Sequence, residues 1–225
     1  MLKNRSNNKS LSHQKETVPY SVSLKTAELK EYGVYLLIPE GDIKKKALDM
    51  AFEHGCSIAP HITFIQNAFF EMNLERIFTM IQNWSVNQQA FEIQFKNKIE
   101  FGTDNNTFWN VETCDDLLHI NKELSNLLDP LRDGTLQCVT KDFDNLTVNQ
   151  KKLVSQYGRY HNVPENNNPH ITVAYDVQNS HITNKINRDF GIDAFCQKFE
   201  DISIGEIDIN GNILQTLQTF KLGAK

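Results

Sequence analysis

Cysteine is scarce in this 225-residue chain: four residues, at positions 56, 114, 138 and 196, no two within four of each other. That spacing excludes a zinc knuckle and a Cys-x-x-Cys redox pair. Scattered cysteines in a chain of this length imply reduced thiols and a cytoplasmic protein. Six prolines and ten glycines are too few for a collagenous or proline-rich fibre. Long apolar runs are missing as well. The longest, residues 34–38, is far too short to cross a bilayer, so no membrane association is expected. The N-terminus is basic but no apolar segment follows it, which argues against a secretory signal. Positive charge is in deficit: 23 Lys and Arg against 28 Asp and Glu give a formal net charge of −5, with no footprint for duplex DNA. Neither GxxxxGK[ST] nor GxGxxG occurs, so there is no P-loop and no dinucleotide fingerprint.

What remains, 40% hydrophobic and 23% charged residues, suits a globular chain of one domain or two small lobes. Residues 1–29 are polar and aperiodic and read as a flexible arm, the alternative being an edge strand over 18–24. Residues 30–225 read as a single bilobed domain. The apolar run 34–38, closed by Pro39-Glu40-Gly41, predicts a buried strand. A helix over 42–54 follows, with Asp42 as its cap and Gly55 as its stop. Strands are expected over 61–65, 91–95, 98–101, 107–111, 170–175, 199–207 and 213–220, and helices over 73–83, 115–131, 147–157 and 180–190. Asp104-Asn105-Asn106 and Asn210-Gly211 mark hairpin turns. Helices interleave with strands, but the hairpins make the sheets antiparallel, so the fold class is α+β.

One tetrapeptide occurs twice: Pro60-His61-Ile62-Thr63 and Pro169-His170-Ile171-Thr172, followed by Phe64 and Val173. In a strand, residues i and i+2 share a face. His61 therefore projects with Thr63, and His170 with Thr172, while the residues between them turn to the other side. Proline is tolerated at a strand start. Two such strands side by side would form a symmetric cleft of two imidazoles and two hydroxyls. An imidazole titrates near neutrality, so a pair can take and give a proton on opposite sides of one reacting centre. The hydroxyls can hold charged oxygens between them. This suits in-line attack on a phosphodiester, with no metal or other cofactor. A third triplet, His181-Ile182-Thr183, falls in a helical stretch where i and i+2 diverge, and is read as coincidence. Trp109 is read as core.

The doubled motif resembles that of the 2H phosphoesterase superfamily, the LigT-like and cyclic phosphodiesterase-like proteins. They are named for two His-x-Thr/Ser motifs in a bilobed fold. The resemblance implies two pseudosymmetric lobes, each with an antiparallel sheet flanked by helices, and a central cleft. It implies metal-independent phosphodiesterase chemistry in which His61 and His170 act as acid and base and Thr63 and Thr172 hold the phosphate. The expected substrate is a nucleotide or single-stranded RNA end with a 2′,3′-cyclic phosphate or a 2′-5′ linkage, handled by a monomer. Arg159, Tyr160 and His161, in the polar loop 158–169, are candidates to clamp a phosphate or stack a base. Tyr175 and Tyr35 are candidates to line the pocket. The competing expectation is a module of the same fold that binds RNA or nucleotides with little turnover.

Overall fold

The computed structural model describes residues 28–54, 59–102, 106–175, 181–190 and 195–223. Several expectations lie outside that set: the arm before residue 28 with its alternative strand over 18–24, the stop at Gly55, most of the turn at 104–106, and a cap at residues 179–180.

Among the described residues eight strands form two antiparallel sheets. The first has the order β2 (His61–Phe70), β1 (Leu29–Leu37), β7 (Asp201–Ile207), β8 (Ile213–Lys221). The second has the order β5 (His170–Ala174), β4 (Thr107–Val111), β3 (Phe91–Phe101), β6 (Phe195–Phe199). Helices α2 (Leu74–Ser85) and α3 (Asp115–Leu128) pack together and against β8 and β2; α1 (Asp42–Glu53) and α6 (His181–Phe190) pack together and against β5 and β3. One apolar cluster joins both halves, including Val34, Leu36, Ile62 and Ile204 from the first sheet and Phe95, Trp109, Ile171 and Val173 from the second. Burying each such side chain contributes about 1.5–3 kcal/mol. Among the described residues no helix is long and apolar enough to cross a membrane.

Local chemistry explains most boundaries. α2 buries Ile77, Ile81 and Ser85, one residue per turn along a single stripe. The helix α5 (Val148–Tyr157) starts on a full capping box between Thr147 and Gln150, and Gly158 ends it at φ 71°, a conformation glycine adopts without steric cost. Gly211 at φ 83° makes the β7–β8 turn. Several expectations need correction. Gly41, not Asp42, is the N-cap of α1, and Asp42 lies in the first turn. α3 stops at Leu128, and a single 3₁₀ turn carries the chain to Leu131. β1 begins at Leu29 and β2 runs on to Phe70, because pairing with a neighbour extends strands beyond their apolar stretches. β3 is continuous, and the expected strand over 199–207 is two strands broken at Glu200. The short helix α4 (Gln137–Asp142) carries no periodicity long enough to announce it.

Candidate active site

The two repeated tetrapeptides open β2 and β5, which are edge strands of different sheets and lie against one another. The seam between the sheets is therefore built from two copies of one local structure. In each, the proline lacks an N–H and pairs through its carbonyl alone: Ile38 N donates to Pro60 O at 3.1 Å, and Val111 N to Pro169 O at 3.2 Å. In each, the imidazole turns back on the chain. His61 Nδ1–H donates to Ala59 O at 2.7 Å, and His170 Nδ1–H to Asn168 O at 2.6 Å. A carbonyl only accepts, so both neutral rings carry their proton on Nδ1 and Nε2 is the basic nitrogen.

Cross-strand partners complete the likeness. Tyr35 lies directly across from Thr63, and Phe108 across from Thr172. Each aromatic ring meets the neighbouring histidine, Tyr35 edge-on to His61 at 5.6 Å and Phe108 tilted over His170 at 3.8 Å between centroids. The residue after each threonine is an unpaired bulge: Thr63 pairs with Tyr35 and Ile65 with Val34, skipping Phe64, while Thr172 pairs with Phe108 and Ala174 with Thr107, skipping Val173. The extra residue changes the parity of the strand. Phe64 and Ile65 both enter the core, and Gln66, paired with Gly33, joins His61 and Thr63 on the face of Tyr35. Asn121 of α3 secures this bulge by donating to Phe64 O at 2.8 Å.

Burial disfavours the charged form of both imidazoles. His170 is pulled down to about 4 by desolvation, with the charge of a protonated His61 adding to the effect. His61 is also lowered by desolvation, opposed by main-chain acceptors at Ala59 and Gly211 and by Asp208. His161 belongs to the same site. Its Nε2–H donates to Gln66 Oε1 at 2.9 Å, and it is pulled down to about 4 by burial, by Arg159 and by His170. Tyr160 stacks edge-on to His161 at 5.1 Å and packs on Leu136, Val139 and Val154.

Two expected contacts lie elsewhere. Arg159 has no exposed surface. Its Nη1 donates to Asp129 Oδ1 at 2.7 Å, Asn67 Oδ1 at 2.8 Å and Tyr157 O at 3.1 Å, and its Nη2 to Ser125 Oγ at 3.3 Å. A guanidinium so enclosed cannot clamp a substrate phosphate; it ties the loop to β2 and α3. Tyr35 is likewise fully buried, its hydroxyl bonded to Thr216 Oγ1 at 2.9 Å. It supports His61 from behind rather than lining a pocket. Tyr175 reaches across the seam and donates to Asn212 Oδ1 at 2.8 Å. The third triplet lies on α6, where Thr183 is buried against Thr107. Trp109 is core, its indole donating to Lys96 O at 2.8 Å. Gln66, Phe108 and Asn121 carry no sequence signal of their own, because a bulge, a strand pairing and a helix packing bring them to the site. Among the described residues no cluster of three or more His, Cys, Asp or Glu could hold a metal ion.

The arrangement of sheets and helices is found in solved structures. TT0787 of Thermus thermophilus superposes with a TM-score of 0.55 at 13% identity, over 87% of this chain and 99% of that one. E. coli LigT, solved in complex with NADP+, superposes with a TM-score of 0.52 at 11% identity, over 88% and 99%. The chain has the LigT-like fold. No family model and no curated protein matches it in sequence.

Proposed function

We propose that the chain is a 2H-type phosphodiesterase that cleaves a nucleotide or RNA-end phosphodiester, a 2′,3′-cyclic phosphate or a 2′-5′ linkage, by paired-histidine acid–base catalysis. The observation that carries this reading is the twin geometry at the seam. Two imidazoles are held by the same main-chain bond at Nδ1, which makes Nε2 the basic nitrogen of each, and each lies beside a threonine on the same strand face. A binding module needs no such pair of titratable groups. In the reaction, one imidazole takes a proton from water or, for a 2′-5′ linkage, from the vicinal ribose 3′-hydroxyl as that oxygen bonds to phosphorus. The other gives a proton to the oxygen whose bond to phosphorus breaks. Thr63 and Thr172 donate hydrogen bonds to the non-bridging oxygens, where charge accumulates. Tyr160 and His161 border the substrate on the loop side. Every step is carried by side chains of the chain itself.

The test is turnover of a 2′,3′-cyclic nucleotide and a 2′-5′ dinucleotide, with EDTA present, by wild type, His61→Ala, His170→Ala and the double variant. Each single variant should lose about 10²- to 10⁴-fold in kcat. The double should be little slower than the worse single, because both groups serve one proton cycle. Binding without turnover across the panel would make the chain a binding module instead.

A further inference from the structure

Helix α3 buries Leu117, Ile120, Leu124 and Leu128, and among these apolar residues lies Asn121, with no exposed surface. A buried amide needs partners for its N–H groups. Asn121 Nδ2 donates to Phe64 O at 2.8 Å and to Asn162 O at 3.2 Å. Carbonyls only accept, which settles the orientation of the amide. Both partners are irregular backbone. Phe64 is the residue that the β1–β2 ladder skips. Asn162 is, among the described residues, the one residue other than glycine with a positive φ, at 52°, a conformation that persists where its surroundings hold it. The Asn162 carbonyl has a second, longer donor in Arg159 Nη2 at 3.5 Å.

The same strand and the same loop meet a second time. His161, next to Asn162, donates from Nε2 to Gln66 Oε1 at 2.9 Å, and Gln66 follows Phe64 by two residues. The bonds close a circuit through Asn121, Phe64, Gln66, His161 and Asn162. β2 is thus held from the core side by the amide of Asn121 and on the face of His61 by the ring of His161. The loop then runs on to Pro169 and His170, where the second motif begins. We propose that Asn121 is a positioning residue of the site: its single amide locks the bulge of the first motif strand to the loop that carries His161 and enters the second motif, and so fixes the offset between the two histidines. Without its two N–H groups the ladder can take up Phe64 by slipping one residue. Such a slip turns every following side chain to the other face of the strand, and Gln66 then leaves His161. Asn121 touches no reacting atom and acts through Gln66 and His161.

The inference rests on the acid–base reading above for its kinetic arm alone. Two near-isosteric variants test it. Asn121→Leu removes both N–H groups, and Asn121→Asp turns acceptors toward two carbonyls. Two readouts are taken on each: the ring N–H resonance of His161 by NMR, and kcat and KM on a 2′,3′-cyclic nucleotide, normalised to the folded fraction. In wild type the His161 Nε2–H should be protected from exchange with water. In both variants that protection should be lost, and kcat should fall by about 10²-fold with KM close to wild type, the scale of a misplacement of about 1 Å. A purely structural amide would lower the melting temperature and leave both readouts alone, so either readout staying at its wild-type value overturns the proposal. If wild type itself turns over no substrate, the acid–base reading falls and the resonance alone decides the lock. If neither variant folds, hydrogen exchange in wild type decides. The Asn121 side-chain N–H groups and the His161 Nε2–H should then exchange through one opening, with the same dependence on urea; separate openings would overturn the proposal.

Discussion

Arg159→Ala separates a substrate clamp from an internal tie. The substitution removes a guanidinium with no exposed surface and leaves Asp129, whose side chain is 9% exposed, without its cation at 2.7 Å. Asn67 and Ser125 lose donors in the same step. Removing one partner of a buried ion pair costs about 3–5 kcal/mol, since the other charge stays buried and uncompensated. Set against a total stability of about 5–15 kcal/mol for a domain, the variant should fold only marginally at 37 °C. Arg159→Lys keeps the charge but not the fork of donors, so it should recover part of the loss. The assay is urea unfolding followed by circular dichroism, beside kcat and KM normalised to the folded fraction. The internal reading requires a large drop in the urea midpoint with KM for the folded fraction close to wild type. A wild-type midpoint with KM raised tenfold or more would refute it, and Arg159 would then contact substrate after all.

Two further predictions concern the frame of the site. Gly205→Ala would place a Cβ 2.3 Å from Gln215 O and 2.5 Å from Tyr35 Oη, so β7 or Tyr35 must shift. A loss of about 1–3 kcal/mol is expected, with slower turnover because Tyr35 backs His61; unchanged melting and activity would show that the strand gives way freely. His161 and His170 are held neutral in the fold down to about 4, while in the unfolded chain they protonate near 6.5. The unfolded state thus binds more protons between those values, and stability should fall as pH drops from about 6.5 to 4, by at most about 3 kcal/mol for each group. Urea midpoints measured across that range should flatten in the low-pH limb for His161→Gln.

The motif strands were legible because their signal is local. Proline at the strand start, the i, i+2 spacing of His and Thr and the apolar residue that follows are all properties of five consecutive residues. The same holds for the hairpin turn at Asn210-Gly211. What was not legible depends on partners far along the chain. Arg159 looked like a free cation in a polar loop, and its enclosure by Asp129, Ser125 and Asn67 exists only once α3 and β2 have docked. Tyr35 and Phe108 gain their meaning from cross-strand register, which neither residue encodes alone. Gln66 was hidden for a subtler reason: strict alternation assigns it to the core side, and the single unpaired residue at Phe64 reverses that assignment.

That unpaired residue works as a change of phase. A regular strand offers one ligand every second side chain, so His61 and Thr63 would be followed on the same face by Ile65. One inserted residue drops an oily pair into the apolar core and restarts the count, so that Gln66 comes next on the face of the histidine. The strand thereby presents imidazole, hydroxyl and amide within six residues, without giving up an anchor to the core. The second strand repeats the device with Val173 and brings a phenol, Tyr175, to the matching place. The same short phrase, spoken twice with a different last word, yields a symmetric centre with unequal ends, which is what a reaction with one entering and one leaving oxygen requires.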